Sequence, residues 1–255
     1  MGSKARGASL DDGERDRYGR QLLLPEWGEE GQRRLKGSAA LVAGLGGLGG
    51  PVCLYLAAAG IGKLVLCDDG LVELSNLNRQ LLFGEADLGK AKTAVAASRL
   101  RALNPRVETI ERSARLVEDN VAEIAADADI LVDCLDNLKT RQVLNAHAAR
   151  TGIPYVHGGV LGTGGQFAFL RPPLTPCLRC LFPDGDTERG SPLPVVGPAA
   201  GLVASVQALA VLRYLVLGEA TLPNRLWRTD GWETEAELLA IERDPHCPVC
   251  GRPGR

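Results

Sequence analysis

A glycine-rich segment is the part of this 255-residue chain whose composition and spacing point most directly to chemistry. Its glycines are Gly44, Gly46, Gly47 and Gly49, and they come directly after the apolar run 39–43. Glycine lets a backbone approach a phosphate without hindrance from a Cβ atom. The N-terminus of a following helix offers free N–H groups and a partial positive charge to the same anion. The spacing therefore predicts a strand, a phosphate-binding turn and a helix.

An acidic residue and several cations follow the glycines. Asp68 ends the apolar run 64–67, about 20 residues after the glycines, where its carboxylate could accept hydrogen bonds from ribose hydroxyls. This pattern alone is equally typical of an NAD site. The residues further on favour a triphosphate, because cations are needed to hold a departing pyrophosphate. These residues are Asn76, Arg79, Gln80 and Lys92.

Four of the seven cysteines form two C-x-x-C pairs, Cys177 with Cys180 and Cys247 with Cys250. Each pair can present two thiolates from one tight turn, and two pairs complete a tetrahedral zinc site with no open position. Without an export signal, metal is favoured over disulfides. The pairs are 67 positions apart (247 − 180). We therefore expect a structural zinc ion that ties the end of the chain to its middle.

The composition indicates a compact globular protein. A net charge of −2 with 45% hydrophobic residues gives no electrostatic reason to expect nucleic-acid or membrane binding. The first residues lack the apolar core of a signal peptide, so we expect a cytoplasmic protein. Residues 1–9 are expected to form a disordered tail. The apolar run 198–217 is interrupted by Gln207 and Arg213, and it predicts a buried helix rather than a membrane span.

The elements that must position these residues describe an α/β fold: a Rossmann-like, mostly parallel sheet with helices on both faces. The first half predicts strands at 39–43, 64–67, 107–110 and 130–134. It predicts one helix that is capped by Asp11 or Asp12 and runs through 18–23. Further helices are predicted at 29–35, 51–59, 88–103, 119–126 and 138–150. The second half predicts strands at 155–157, 166–170, 225–228 and 237–241, which we expect to extend the sheet in antiparallel fashion. Residues 182–198 hold four prolines and predict a long loop.

Ligand sites in such sheets lie beyond the carboxyl ends of the strands. Asp68, Asp136 and the glycine loop all follow predicted strands. We therefore expect these three features to converge on one crevice.

Together these features resemble the MoeB/ThiF/HesA adenylyltransferases, bacterial relatives of ubiquitin-activating enzymes, and most of all the type that activates molybdopterin synthase. The resemblance runs from Arg17 to Cys250. It rests on the glycine loop, the run 76–80, Lys92, the strand end Asp136–Asn137 and the paired C-x-x-C motifs. The family joins the C-terminal glycine carboxylate of a small ubiquitin-fold sulfur carrier to AMP and releases pyrophosphate, ahead of thiocarboxylate formation. The resemblance implies one domain over 1–255, with an N-terminal helical segment (1–37), a nucleotide-binding half (38–153) and a carrier-binding and zinc half (154–255).

The resemblance also implies a role for each candidate residue. The four glycines would line the phosphates of ATP, Asp68 would hold the ribose, and Asp136 would bind Mg²⁺. Arg20 would reach into the neighbouring subunit's site in a homodimer. The residues expected to contact phosphates are Asn76, Arg79, Gln80 and Lys92. A carrier that ends in Gly-Gly has a carboxylate that is already ionised at neutral pH, so no general base is expected and neither His147 nor His157 is given a role.

One segment departs from the family pattern. Many relatives carry a cysteine shortly before the position of Val195, and here Gly190 stands at about that cysteine's place. We therefore expect activation to stop at the acyl-adenylate, with sulfur delivered by a separate donor protein. The chain ends at Arg255, so no rhodanese domain is expected to follow.

Two other hypotheses stand beside this one. An NAD-dependent oxidoreductase would rest on the glycine pattern and Asp68 alone. A non-catalytic module could keep the fold and bind a ubiquitin-like tail. For the adenylyltransferase, carriers of the molybdopterin, thiamin, cysteine and specialised-metabolite pathways are all candidate partners.

Overall fold

A computed structural model describes residues 9–183 and 193–251. Within these residues eight strands form a single sheet. The strands are β1 (Ala39–Ala43), β2 (Lys63–Cys67), β3 (Glu108–Arg112), β4 (Ile130–Asp133), β5 (Tyr155–Leu161), β6 (Gly164–Leu170), β7 (Arg225–Asp230) and β8 (Glu235–Ala240). Their order across the sheet is β3-β2-β1-β4-β5-β6-β7-β8.

The sheet is parallel in its first half and antiparallel in its second. Strands β1 to β5 pair in parallel, and β6, β7 and β8 are added in antiparallel fashion to β5. Every residue of β1 and β4 is buried, as expected where helices cover both faces. Every residue of β8 is exposed. The predicted fold class is confirmed.

The helices are α1 (Asp12–Arg17), α2 (Gly19–Leu22), α3 (Gly28–Lys36), α4 (Gly49–Ala59), α5 (Lys92–Leu103), α6 (Val121–Ile124), α7 (Leu138–Thr151), α8 (Leu178–Leu181) and α9 (Gly197–Leu217). Asp11 caps α1 through a capping box with Glu14, as the sequence predicts. Helices α4 and α7 end at Gly60 and Gly152, which take the left-handed conformation that glycine adopts without strain.

Three helix predictions were too long. The helix predicted from residue 88 begins only at Lys92, because Gly89 has φ +78° and Ala91 pairs with Leu71 in a β-bridge. The N-terminal helix is interrupted at Tyr18, whose φ of −98° and ψ of 8° separate α1 from α2. The helix predicted at 119–126 is reduced to the single turn of α6.

The core lies on both faces of the sheet, and β1 shows how the sequence divides it. Ala40 and Val42 face the cluster formed with α4, α5 and α9, whereas Leu41 and Ala43 face the cluster formed with α6 and α7. This alternation is the two-residue period of a strand. Among the described residues, α9 alone has the length and hydropathy of a membrane span, but half of its 18-residue apolar window is buried inside the fold. It packs on β5, β6, α3 and α4, in agreement with the prediction of a core helix.

The proline-rich segment is described only at its two ends. Residues 184–192, including Gly190, lie outside the described residues, as do residues 1–8 of the predicted tail. Beyond this gap the backbone returns to the sheet: Gly162 N–H donates to the Pro194 carbonyl at 2.7 Å, and Val196 N–H donates to the Gly162 carbonyl at 3.1 Å. These bonds place the start of α9 beside the β5–β6 turn.

Candidate active site

The glycine loop joins β1 to α4 and is packed too tightly for side chains at two of its positions. Gly44 has φ +87°, and a Cβ there would lie 2.6 Å from the Cys134 carbonyl oxygen. A Cβ on Gly49 would lie 1.8 Å from the Gly44 carbonyl oxygen. At Gly46 and Gly47 the nearest atoms are 3.3 Å or more away. The first and last glycines are thus required by the turn, whereas the middle two are less tightly enclosed, and without a Cβ their backbone can be approached more closely by a phosphate.

Asp68 at the end of β2 fastens this loop. One carboxylate oxygen accepts the Leu45 N–H at 2.7 Å, and the other accepts the Gly70 N–H at 2.8 Å. Each carboxylate oxygen can accept more than one hydrogen bond, so Asp68 can still accept from a ribose hydroxyl. Asp68 therefore has a positioning function that the sequence pattern does not reveal.

Arg79 lies beside the glycine loop and Lys92 beside the Asp68–Gly70 turn, and neither has a carboxylate partner among the described residues. Lys92 begins α5, and its Nζ would lie 3.4 Å from a Cβ placed on Gly70. Arg79 donates through Nη1 to the Ser75 carbonyl and to the Asn78 side chain, both at 2.8 Å. The Arg79 carbonyl oxygen and Cγ would lie 3.4 and 3.6 Å from a Cβ on Gly47. Cations that are held by neutral groups or left unpaired keep their charge available for an anionic ligand.

Asn76 and Gln80 are buried in the turn that carries Arg79. The Asn76 side-chain oxygen accepts the Glu73 N–H at 3.3 Å. The Asn76 backbone carbonyl accepts the N–H groups of Arg79 and Gln80 at 3.1 and 3.0 Å. Gln80 points at the loop, with Nε2 3.3 Å from the Cβ position of Gly46. Its buried Oε1 has no hydrogen-bond partner within the described part of the chain. An unsatisfied buried amide oxygen is costly, and it fits a site that is completed by a ligand or water.

Asp136 lies in the short segment between β4 and α7. It is exposed, and its carboxylate contacts the Asn137 side chain at 3.3 Å. Asn137 in turn caps α7 by accepting the Thr140 N–H at 2.9 Å. The preceding residue, Leu135, approaches the glycine loop: its backbone N lies 3.2 Å from the Cβ position of Gly44. The β1, β2 and β4 strand ends thus meet, as predicted for a ligand site at the carboxyl edge of a parallel sheet.

Comparison with known proteins shows the family to which the chain belongs. The profile of the ThiF family matches residues 18–249, which is nearly the whole chain. The chain belongs to the ThiF family. This assignment confirms the resemblance read from the motifs, and it favours an adenylyltransferase over the NAD-dependent alternative.

Curated relatives cover almost the same length. The sulfur carrier protein ThiS adenylyltransferase of Escherichia coli K12 is 41% identical over 245 residues, covering 95% of this chain and 97% of the relative. The SAMP-activating enzyme E1 of Haloferax volcanii is 40% identical, with 96% and 92% covered. Among solved structures, E. coli MccB crystallised with ATP matches with a TM-score of 0.80 at 27% identity, covering 92% of this chain and 74% of MccB. A relative named for adenylyl transfer thus matches nearly the whole of this ThiF-family chain, and the fold of the chain is shared with MccB.

Arg20 lies apart from these groups. It is exposed on the single turn of α2, and it makes no hydrogen bond or ion pair with any other described residue. Its neighbours hold the turn in place: Gln21 donates to the Gln32 side chain and to the Ala59 carbonyl, both at 3.0 Å. Arg20 is thus a cation on an anchored turn, with no acidic partner in the part of the chain that the structure describes. Its predicted role in a second subunit stays a prediction.

The two C-x-x-C pairs come together as predicted. The sulfur atoms of all four cysteines lie within 4.8 Å of one another. Cys177 Sγ is 4.0 Å from Cys180 and 3.7 Å from Cys247, and Cys180 Sγ is 3.5 Å from Cys250. Four thiolates around zinc at a bond length of about 2.3 Å have edges of about 3.8 Å, which these distances match. Burial raises the pKa of the Cys177 thiol to about 11, so a bound cation is what would favour its thiolate.

Sequence reasoning missed one polar cluster behind the site. Asp133, at the end of β4, is fully buried and forms an ion pair with Arg141 at 3.0 Å. Its Oδ2 also lies 2.6 Å from the Tyr155 hydroxyl and 2.8 Å from His157 Nδ1. Burial alone would raise the pKa of Asp133, but the Arg141 charge and these hydrogen bonds hold it below its usual value. Asp133 is therefore an ionised carboxylate inside the protein. The one feature of the sequence that could have indicated this cluster is an acidic residue within an apolar strand.

Proposed function

We propose that this chain uses ATP to adenylate the C-terminal glycine carboxylate of a small ubiquitin-fold sulfur carrier, releasing pyrophosphate. The observation that carries the proposal is the glycine loop: Asp68 fastens it, Arg79 lies beside it, and Lys92 lies beside Gly70, which Asp68 also holds. Neither cation has an acidic partner among the described residues. A phosphate chain needs this combination of backbone N–H groups and free cations. The names of the relatives supply the class of acceptor, a sulfur carrier protein.

In this mechanism the carrier carboxylate attacks the α-phosphorus of ATP, and the bond to pyrophosphate breaks. A terminal carboxylate has a pKa of about 3.5 and needs no general base at neutral pH. The protein must instead bring two anions together and neutralise their repulsion. Lys92 and Arg79 supply positive charge, and Asn76 and Gln80 shape the turn beside the phosphates. Asp136 would hold Mg²⁺, which neutralises phosphate oxygens when bound.

The first test is ATP–pyrophosphate exchange with a panel of small carriers that end in Gly-Gly. We expect exchange with at least one carrier, and its loss in Lys92→Ala. Lys90→Ala is the matched control, because Lys90 lies two residues away, is exposed and pairs with Asp87 at 3.5 Å. Equal loss in both variants would contradict the role of Lys92. ATP binding without exchange for any carrier would instead favour the non-catalytic module.

We also propose that the protein works as a homodimer in which Arg20 completes the partner's site. Helices α4 and α9 pack together, and each leaves large apolar side chains exposed: Tyr55 at 53%, Leu202 at 42% and Leu209 at 67%. Such a face is typical of an interface. Mixing inactive Arg20→Ala and Asp136→Ala proteins tests the arrangement. Random exchange of subunits should restore about a quarter of wild-type activity, since half of the dimers are mixed and each has one intact site. No recovery after proven exchange would contradict the shared site.

The cysteine cluster would hold a structural zinc ion, and a separate protein would donate sulfur after adenylation. The four sulfur ligands leave no open position for catalysis. We further propose that the chain acts in the cytoplasm and forms the single domain described above. The pathway is set by the carrier, so the exchange panel should include carriers of the molybdopterin and thiamin pathways.

A further inference from the structure

The peptide groups of Leu135 are held on both sides by one buried ion pair. Leu135 N–H donates to Asp133 Oδ1 at 3.1 Å, and the Leu135 carbonyl accepts a hydrogen bond from Arg141 Nη2. Asp133 Oδ2 and Arg141 Nη1 are themselves paired at 3.0 Å. The two side chains therefore close a ring around a single residue of the segment between β4 and α7. We name this ring, formed by Asp133, Leu135 and Arg141, the Leu135 clamp.

Neighbouring strands and helices keep the Leu135 clamp rigid. The Tyr155 hydroxyl donates to Asp133 Oδ2, and His157 Nδ1 lies 2.8 Å from both Asp133 Oδ2 and Arg141 Nη1. The Asp133 carbonyl accepts a hydrogen bond from Gln207 of α9 at 2.9 Å. Asp133 is fully buried, and the Arg141 side chain is only 12% exposed. A buried ion pair that is held by further hydrogen bonds is stiff, because any displacement leaves a charge unpaired.

The clamp acts on the residue that most needs orientation. Asp136 follows Leu135 directly and is exposed, and within the described part of the chain its side chain has one hydrogen bond, from Asn137. Its direction is therefore set mainly by the backbone that the clamp fixes. The same backbone supports the glycine loop, since the Cys134 carbonyl oxygen lies against Gly44. One fixed segment thus sets the spacing between Asp136 and the loop.

We propose that Arg141 and Asp133 are positioning residues for magnesium–ATP, acting through the Leu135 peptide groups to hold Asp136 at a set distance from the glycine loop. This inference rests on the proposed binding of magnesium by Asp136. Groups that orient a metal ligand commonly change metal affinity or activity about 10- to 100-fold when they are removed. We therefore expect a loss of that order without direct contact between Arg141 and the nucleotide.

The clamp itself can be tested by hydrogen–deuterium exchange, without any ligand. In Arg141→Lys, a lysine cannot hold Asp133 and the Leu135 carbonyl together, so peptides that contain Leu135 should exchange faster than in the wild type. Arg150→Lys is the matched control, because Arg150 lies on the same helix, is exposed and contacts His147 at 3.4 Å. Tyr155→Phe removes one hydrogen bond to Asp133 while keeping the shape, and it should show a smaller change in the same direction. Unchanged exchange in Arg141→Lys, or in Tyr155→Phe if the first variant does not fold, overturns the clamp.

The effect of the Leu135 clamp on nucleotide binding is measured by calorimetry. The affinity for ATP is determined with saturating Mg²⁺ and again with excess EDTA. We expect Mg²⁺ to strengthen ATP binding by the wild type and Arg150→Lys but not by Asp136→Asn. In Arg141→Lys this strengthening, which is the ratio of the ATP affinity with Mg²⁺ to the ATP affinity in EDTA, should shrink about ten-fold. A full Mg²⁺ effect in Arg141→Lys would overturn the positioning role alone. A wild-type protein that shows no Mg²⁺ effect would overturn the assignment of magnesium to Asp136, and this inference with it.

Discussion

Asp68→Asn is the substitution whose effect the structure defines most closely. The carboxylate of Asp68 accepts two backbone hydrogen bonds, from Leu45 N–H at 2.7 Å and from Gly70 N–H at 2.8 Å. Asparagine keeps one oxygen and replaces the other with an NH₂ group, which cannot accept a hydrogen bond. One of the two backbone N–H groups must therefore lose its partner. The variant keeps the size and shape of the side chain, so packing is unchanged.

The expected cost follows from the number of bonds lost. A hydrogen bond to a charged group stabilises a protein by about 1.5–3 kcal/mol. Losing one should lower the free energy of unfolding by about 2 kcal/mol, which corresponds to a fall in Tm of about 4–8 °C for a domain of this size. If the same carboxylate also accepts from the ribose, ATP binding should weaken about ten-fold, because about 1.4 kcal/mol of contact is lost.

The adjacent residue provides the control. Asp69→Asn makes the same chemical change, but among the described residues Asp69 pairs only with Arg115, at 3.2 Å on the surface, where both side chains are more than half exposed. Such a pair contributes less than about 1 kcal/mol. Urea denaturation and ATP calorimetry on both variants separate the two roles. Equal stability of Asp68→Asn and Asp69→Asn would refute the anchoring argument. A destabilised Asp68→Asn with normal ATP affinity would refute the ribose contact alone.

Three further outcomes are expected. Elemental analysis should find about one zinc per chain, and removing it with a chelator should lower Tm, with recovery on adding Zn²⁺ but not Mg²⁺. Gly49→Ala should destabilise the fold by more than about 3 kcal/mol in urea denaturation, because its Cβ would meet the Gly44 carbonyl at 1.8 Å; Gly201→Ala, with nothing within 4 Å, should not destabilise it. Burial lowers the pKa of His157, so the unfolded chain binds the extra proton and stability falls as pH drops below about 6.5. In His157→Gln the free energy of unfolding should depend less steeply on pH between 7.5 and 5.5, by at most about 1.4 kcal/mol per pH unit, and an unchanged slope would contradict a neutral buried His157.

Much of the fold could be predicted because the signals were local. The unbroken apolar runs that became β1 and β4 mark strands covered on both faces, and glycines mark the ends of α4 and α7. The errors were at boundaries. Apolar spacing suggested a helix from residue 88, but Gly89 and the bridge between Leu71 and Ala91 delay it to Lys92. A bridge between distant residues leaves no mark in the local pattern.

The candidate site divides in the same way. The glycines and Asp68 could be found because their types and spacing recur around phosphates. The Leu135 clamp could not, because its partners come from different elements. Asp133 meets His157 only because β4 and β5 pair in the register that sets these two residues side by side. A sequence pattern shows that an acid lies in an apolar strand, but not which later residue will neutralise it.

The arrangement of these contacts follows from the chemistry that the site must support. Joining a carboxylate to a triphosphate brings two anions together, so the catalytic effect depends on groups that are already in position and do not have to reorganise. The first three glycines of the site, Asp68, Arg79 and Asp136 nevertheless lie on loops, which are the least rigid parts of a fold. In this chain two of these loops are fastened by a carboxylate at or just after a strand end: Asp68 holds the glycine loop, and Asp133 with Arg141 holds the segment before Asp136. The two fastenings meet where Gly44 contacts Cys134. A rigid sheet can thereby set the distance between exposed groups that make few contacts of their own.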